Sequence, residues 1–338
     1  MRKSISTKAK TILVKRLSII VPVYNVKPYV GQCLQSILDK SGADPDDFEV
    51  IIVNDGSPDD SMLVVRDICS KHKNVIILEQ DNQGLSAARM NGLLLSRGEY
   101  VWFVDSDDWI EENGVISAIE LTLKDPSTQV FLLPLLWEFD NPASSFSDIK
   151  TNTKDFLPGK RIIQENLYPI SAAQRFIIKK ALLQSEWIYF PAGLLHEDEY
   201  FGRALLYKAE KVCVIPGVWY HYRQRSGSIM SNRSSRSAFD TVLIYQNLLD
   251  FQNSCVSASD KGWFHQRCYD LLEYSYIQLA ISNDFEAYHV FKEQYLPLIL
   301  SEHRIARSHL PIKTQFIERL MLHYPRLAAH IRPHLVGN

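Results

Sequence analysis

The chain has 338 residues, of which 46% are hydrophobic, 22% charged and 11% aromatic. This composition excludes a disordered chain, a collagen-like repeat and a disulfide-stabilised miniprotein. The formal net charge of −2 argues against a general nucleic-acid-binding protein. The five cysteines form no CxxC pair, so we expect no zinc ribbon and infer a reducing, cytoplasmic setting.

The near-neutral total conceals two basic ends. Residues 1–16 carry six basic side chains and no acid, and residues 302–338 carry six Lys/Arg against two acids. The residues between them hold 25 basic and 37 acidic side chains. No apolar run approaches the roughly 18 residues that a membrane-spanning helix needs.

Strand-like and helix-like segments alternate over the first 130 residues. Short segments rich in Val and Ile predict strands at 17–24, 48–54, 74–78 and 100–104. Helices are predicted at 30–38, after an N-cap at Ser57, and at 86–95. This alternation predicts an α/β fold with a mostly parallel, Rossmann-like sheet flanked by helices, and with ligands at the carboxyl ends of the strands.

The rest of the chain is less regular and then helical. Residues 139–160 are polar and predict a loop, and the pattern becomes helical from about residue 238. We therefore divide the chain into a basic arm at 1–16, an α/β domain with halves 17–110 and 111–230, and a helical C-terminal region at 231–338.

Two polar turns follow predicted strands. The cluster DSDD at 105–108 places carboxylates two residues apart, which suits a hard divalent cation, although an acidic turn with a helix cap is the alternative. The turn NDGS at 54–57 offers an Asp that can accept a hydrogen bond from a base or cap a helix. The chain contains neither a GxxxxGK[ST] nor a GxGxxG motif.

Four ordered elements make the pattern specific: LSIIVPVYN, VIIVNDGSPDDS, NQGLSAARMNGLLLSRGEYVWFVDSDDWI, and LLHEDEYFGRALL followed by VWYHYRQRSGSIM. Together they cover residues 17–230 and resemble the family 2 glycosyltransferases of the GT-A fold, especially bacterial enzymes that build capsule, exopolysaccharide or O-antigen. The resemblance implies inverting, metal-dependent transfer from a nucleotide diphosphate sugar, usually a UDP-sugar, to a glycan or lipid-linked acceptor. The implied cofactor is Mn²⁺ or Mg²⁺.

The resemblance also implies roles for individual residues. The nucleotide-sugar site would be formed by Pro22, Tyr24, Asn25, Asp55, Asn82, Arg89, Asp105, Ser106, Arg223, Arg225 and Ser228. Within this set Asp55 would accept from uracil, and Arg223, Arg225 and Ser228 would hold the diphosphate.

The metal and the general base complete the implied site. Asp107 would bind the metal, and His221 would be a second ligand, with a packed or hydrogen-bonded histidine as the alternative. Asp198 would be the general base, with Glu197 as its competitor. The family's Ala-Arg-Asn-x-Gly motif is displaced here, so Asn91 does not inherit the role of that asparagine.

The C-terminal tail predicts an amphipathic helix with a basic stripe. Its apolar positions are Leu320, Tyr324, Leu327, Ile331 and Leu335, and its basic ones are Arg319, His323, Arg326 and His330. Such a helix can lie at an anionic membrane surface, which would place the protein on the inner face of the plasma membrane. Packing on the α/β domain or on a partner subunit is the alternative, and a homo-oligomer is left open.

Two other functions remain as alternatives. A sugar nucleotidyltransferase would use a similar sheet, but it normally carries a glycine-rich loop that is absent after the first predicted strand. An inactive sugar-binding scaffold is the other alternative, and the retained acidic residues argue against it.

Overall fold

The computed structural model describes residues 15–139, 141–224 and 235–325. The strands are β1 Leu17–Val23, β2 Phe48–Asp55, β3 Val75–Gln80, β4 Tyr100–Phe103, β5 Trp109–Ile110, β6 Val130–Leu132, β7 Leu135–Glu138, β8 Phe146–Ser147, β9 Asp155–Leu157, β10 Phe176–Lys179, β11 Val212–Val214 and β12 Tyr220–Arg223. The helices are α1 Val30–Leu38, α2 Ser61–Cys69, α3 Leu85–Leu95, α4 Gly114–Lys124, α5 Gly159–Glu165, α6 Glu197–Lys208, α7 Ser235–Cys255, α8 Lys261–Ile281, α9 Phe285–Ala306 and α10 Ile312–His323.

Eight strands form the main sheet, in the order β3-β2-β1-β4-β10-β6-β11-β9. The first four are parallel to one another, as the sequence predicts. The second half is mixed, because β10 runs antiparallel to both β4 and β6, and β9 runs antiparallel to β11. A second sheet has the order β5-β12-β7-β8. The α/β fold with a helical C-terminal region is confirmed.

The central strands are apolar on both faces because helices cover both sides of the sheet. All seven residues of β1 are buried. Successive side chains alternate between two hydrophobic cores: Ile20 and Ile51 belong to one, and Ile19 and Ile52 to the other. Helix α3 lies close to the sheet at Gly92, where a Cβ atom would come within 2.5 Å of Cγ2 of Ile20.

Two local predictions are wrong. Helix α2 begins at Ser61, and Ser57 does not cap it. The Ser57 hydroxyl instead donates to the carbonyl of Val23 at 3.3 Å and accepts from the Asn25 N–H at 3.2 Å, so it joins two strand ends. The predicted loop at 139–160 contains β8 and β9, which add a strand to the edge of each sheet.

The C-terminal helices share a hydrophobic core with the α/β part, for example where Tyr200 of α6 meets Phe251 of α7. Within the described ranges, no helix combines the length and apolar character needed to cross a membrane. Helix α10 ends at His323, and the tail prediction from Arg326 onward lies outside the described residues, as does most of the basic arm. The domain boundaries stay a prediction.

Candidate active site

A cleft of about 340 Å³ lies at the carboxyl ends of the parallel strands, where the polar turns predicted a ligand site. It is lined by Pro22, Val23, Tyr24, Val26, Asp55, Asn82, Gly84, Leu85, Ala88, Asp105, Ser106, Asp107, Asp108, Tyr222 and Arg223. Eight of the predicted site residues are in this lining. Asn25, Arg89, Asp198 and His221 are not, and Arg225 and Ser228 lie outside the described residues.

Asp55 holds the loop that forms one wall of the cleft. Its carboxylate is buried and accepts hydrogen bonds from the backbone N–H groups of Gln83 and Gly84, at 2.8 and 2.9 Å. The side chain of Gln80 donates to it at 2.7 Å, and Asn91 in turn donates to Gln80 at 2.8 Å. Asn91 therefore supports the Asp55 loop and does not line the cleft.

The acidic turn at 105–108 is anchored by Asp108, to which the sequence assigned no role. One Asp108 oxygen accepts from the Tyr220 hydroxyl at 2.7 Å, and the other accepts from the backbone N–H of Arg223 at 2.8 Å. Burial raises the pKa of Asp108 well above its usual range, and the charges of Asp107 and Asp105 add to that effect. Asp108 thus joins β12 to the turn.

Arg89 is outside the cleft lining and links Asp105, in the cleft wall, to Glu197 at the start of α6. The residue is only 2% exposed, and its guanidinium donates to Asp105 at 2.8 Å and to Glu197 at 2.7 Å. Its guanidinium lies over the ring of Phe190, 5.0 Å from the centroid. The second oxygen of Asp105 accepts from the side chain of Gln174. Arg89 therefore positions Asp105 and the start of α6 and is not part of the cleft wall.

Arg223 supports the backbone of the acidic turn. Its Nε donates to the Asp107 carbonyl at 2.8 Å, and its Nη2 donates to Gln32 at 2.6 Å. The guanidinium packs over Trp109 at 4.5 Å and over Tyr29 at 5.2 Å. These two hydrogen bonds use two of its five N–H donors, so the same side chain can also face a diphosphate in the cleft.

The three acids at the start of α6 have different partners. Glu197 pairs with Arg89, and Glu199 pairs with Arg203. Asp198 instead accepts the backbone N–H of Ala172 at 2.7 Å. Burial and the neighbouring Glu199 charge raise the pKa of Asp198. Burial also raises the pKa of Glu197, although the charge of Arg89 opposes the shift.

His221 does not line the cleft, and its contacts support the packed-histidine alternative. Its Nδ1 lies 2.8 Å from Glu138 and its Nε2 lies 3.0 Å from Glu111, so both ring nitrogens already have carboxylate partners. The ring stacks on Trp109 at 4.8 Å. These partners favour the packed-histidine alternative, and the role of His221 as a metal ligand stays a prediction.

The remaining acids limit what a metal ion could use. Within the part of the chain that the structure describes, no group of three His, Cys, Asp or Glu side chains is arranged to hold a metal ion. Asp107 and Asp105 line the cleft two residues apart. Such a pair fits a cation that completes its shell with phosphate oxygens and water, as Mg²⁺ usually does.

Comparison with known proteins gives the family. Residues 18–184 match the profile described as Glycosyl transferase family 2. The chain is 31% identical over 233 residues to glycosyltransferase GlyA of Streptococcus pneumoniae, a match that covers 63% of this chain and 31% of GlyA. It is 28% identical over 233 residues to the putative glycosyltransferase EpsH of Bacillus subtilis, covering 67% of this chain and 66% of EpsH. The chain thus spans less than two thirds of the length of these relatives.

A solved structure supports the fold independently. TarS 1–349 of Staphylococcus aureus in complex with UDP-GlcNAc superposes with a TM-score of 0.67 at 24% identity, covering 92% of this chain and 87% of that one. This likeness identifies the GT-A architecture. The profile match, which runs from β1 to β10, shows that residues 18–184 form a glycosyl transferase family 2 domain.

Proposed function

We propose that this protein is an inverting glycosyltransferase that moves a hexosyl or N-acetylhexosaminyl group from a UDP-sugar to a hydroxyl group of a glycan or lipid-linked acceptor. The observation that carries the proposal is the cleft itself, in which the acidic turn at 105–108 lies beside Arg223 and is connected through Arg89 to the carboxylates of α6. The TarS neighbour was solved with UDP-GlcNAc, which supports a UDP-sugar as donor.

Several relatives act on cell-surface polymers, which supports the same setting for this chain. One is a poly(ribitol-phosphate) β-glucosyltransferase of Bacillus spizizenii, 28% identical over 222 residues. We extend the proposal to synthesis of a cell-surface polysaccharide at the cytoplasmic membrane face. The basic residues at 302–338 would provide the peripheral contact.

The donor side of the reaction needs charge neutralisation. Asp107, with Asp105 beside it, would hold Mn²⁺ or Mg²⁺, which when bound neutralises charge that develops on the departing diphosphate. Arg223 lies in the same wall and would add its positive charge. Asp55 would keep the Asn82 loop against the nucleotide.

The acceptor side of the reaction needs a base. Asp198 fits this role better than Glu197. The ion pair with Arg89 stabilises the Glu197 carboxylate, which makes that carboxylate a weaker proton acceptor. Burial and the charge of Glu199 raise the pKa of Asp198, which strengthens its carboxylate as a proton acceptor. The acceptor oxygen would bond to the anomeric carbon as its proton passes to Asp198. The bond from that carbon to the diphosphate would break on the opposite face, releasing UDP.

The proposal is tested by measuring UDP release from UDP-GlcNAc with Mn²⁺, where water replaces the acceptor. We expect Asp107→Asn and Asp198→Asn to lower the rate at least ~100-fold. Asp67→Asn, on the exposed face of α2, is the matched control and keeps the wild-type rate. Wild-type rates in the Asp107 and Asp198 variants would refute these assignments. No UDP release by the wild-type protein from any UDP-sugar would favour the scaffold alternative.

A further inference from the structure

A row of aromatic side chains crosses the second sheet. Tyr222 of β12 pairs in register with Trp137 of β7, and Trp137 pairs with Phe146 of β8. Directly paired residues project from the same face of a sheet. The rings are in contact: Tyr222 and Trp137 lie 4.8 Å apart edge to face, and Trp137 and Phe146 lie 5.9 Å apart and nearly parallel. Phe139, two residues beyond Trp137, stacks on Phe146 at 6.3 Å.

This aromatic row, Tyr222–Trp137–Phe146 with Phe139, begins inside the donor cleft. Tyr222 lines the cleft next to Arg223. Exposure increases with distance from the cleft, because Tyr222 and Trp137 are half-buried whereas Phe139 is 37% and Phe146 49% exposed. The row crosses two strand spacings, so its exposed end lies about 10 Å from Tyr222.

The middle of the row is fixed by buried polar groups. The Trp137 indole N–H donates to Asp148 at 3.3 Å, and Asp148 also accepts from Arg175 at 2.8 Å. Arg175 is buried, and its other hydrogen bonds go to the backbone carbonyls of Ser171 and Leu133. This network holds the indole in one orientation before any ligand arrives. A binding surface that is ordered in advance loses less entropy when a ligand binds.

Exposed aromatic rings beside the cleft of a sugar-transferring enzyme are well placed to bind a saccharide. The C–H groups on one face of a sugar ring are apolar and weakly positive, and they complement the negative face of an aromatic ring. The exposed rings, Phe139 and Phe146, form a small patch, whereas lipid-binding surfaces expose larger contiguous apolar areas.

We propose that the aromatic row is the acceptor-binding platform of this enzyme, with a sugar ring of the acceptor stacked on Phe146. The inference rests on the proposed function, because it assigns the ligand at Phe146 from the reaction in the adjoining cleft. Trp137 orients the platform, and Tyr222 joins it to the donor site.

The test uses the full chain and two oligosaccharide probes, chitotriose and cellotriose, titrated by ligand-observed NMR. We expect the wild-type protein to bind at least one probe and Phe146→Ala to weaken that binding about tenfold. Phe146→Tyr keeps the ring and the affinity. Phe156→Ala is the matched control, because Phe156 is 50% exposed but lies on β9 of the other sheet.

UDP release from UDP-GlcNAc separates this proposal from the function on which it rests. It stays at the wild-type rate in the control Phe156→Ala, since Phe156 lies on β9 and does not line the donor cleft. Failure of the wild-type protein to release UDP would count against the proposed function alone. The platform is overturned by equal probe affinity in Phe146→Ala and the wild-type protein, or by a wild-type protein that binds neither probe. It is also overturned if Phe146→Ala loses binding to phosphatidylglycerol vesicles while keeping both probes.

Discussion

Two buried arginines in different regions of the molecule make similar ion pairs with different consequences. Arg89 pairs with Asp105 and Glu197, which come from the turn after β4 and from the start of α6. Asp105 is in the wall of the cleft, and Glu197 is next to the proposed base. Arg89 therefore fixes two parts of a reaction site relative to each other.

Arg307 is the second of these arginines, and it lies among the C-terminal helices. Its partners are Asp270 and Glu273 of α8 and Glu318 of α10, and its guanidinium lies over the ring of Tyr269. None of these residues lines the cleft. The comparison shows that burial and ion pairing alone do not identify a functional arginine. The decisive feature is whether the paired carboxylates border a space that a ligand can enter.

The largest expected effect is a difference between the two arginines in the rate of UDP release. Arg89→Lys should lower UDP release about 100-fold, because a lysine ammonium cannot hold two carboxylates in the fork geometry of a guanidinium. Arg307→Lys should lower the free energy of unfolding by about 1.5–3 kcal/mol and leave the rate per folded molecule unchanged. Steady-state rates and thermal melts of both variants test whether the loss is one of activity or of stability. Equal losses of rate would show that the two regions do not differ in the way described.

A second prediction concerns the pH dependence of the rate. Asp198 must be ionised to accept a proton, so the rate should rise with pH through the pKa of Asp198. Because burial and Glu199 raise that pKa, the acid limb should lie above the ordinary aspartate value of about 3.9.

Glu273, an ion-pair partner of Arg307, supplies the control for the pH dependence of the rate. Burial also raises the pKa of Glu273, but Glu273 does not line the cleft. Glu273→Gln should therefore leave the acid limb of kcat/KM where it is, while Asp198→Asn removes the activity itself. A shift of the limb in Glu273→Gln would contradict the assignment of the limb to Asp198.

The smallest expected effect concerns backbone strain. Within the described residues, every non-glycine residue with a positive φ precedes α6, and one of them is Ala172, with a φ of 80°. Its N–H is the group that binds Asp198. Ala172→Gly should relieve strain and stabilise the protein by about 0.5–1 kcal/mol. Ala87→Gly, in the first turn of α3, should instead destabilise the protein, by up to about 0.5–1 kcal/mol. Thermal melts in which both variants change the stability in the same direction would contradict this prediction.

The sequence predicts the parts of the molecule that depend on local pattern. Helix α1 has the predicted bounds, and the four parallel strands lie where short apolar segments indicate them. Strands β8 and β9 are not predicted because they have only two and three residues, and β9 in addition pairs with the distant strand β11. Hydrophobic periodicity carries no information on such short segments.

The candidate site likewise contains residues that a local pattern identifies and contacts that it does not. Asp55, Asp105 and Asp107 are recognisable because each follows a predicted strand. The contacts of His221 come from Glu111 and Glu138, 110 and 83 residues away in the chain. The anchoring of Asp108 by Tyr220 spans 112 residues. These partners meet only because β12 lies between β5 and β7, an arrangement that no local pattern contains.

The position of β10 in the main sheet has a consequence for how the protein is made. Strands β1 to β4 are complete once residue 103 has left the ribosome, but the free edge of β4 is covered only by β10, which begins at residue 176. An uncovered strand edge can pair with another chain, so the nascent protein carries an aggregation hazard over this interval. The cleft is finished later still, when β12 brings Arg223 to the acidic turn. Translation pauses between residues 103 and 223 would therefore affect yield more than pauses elsewhere.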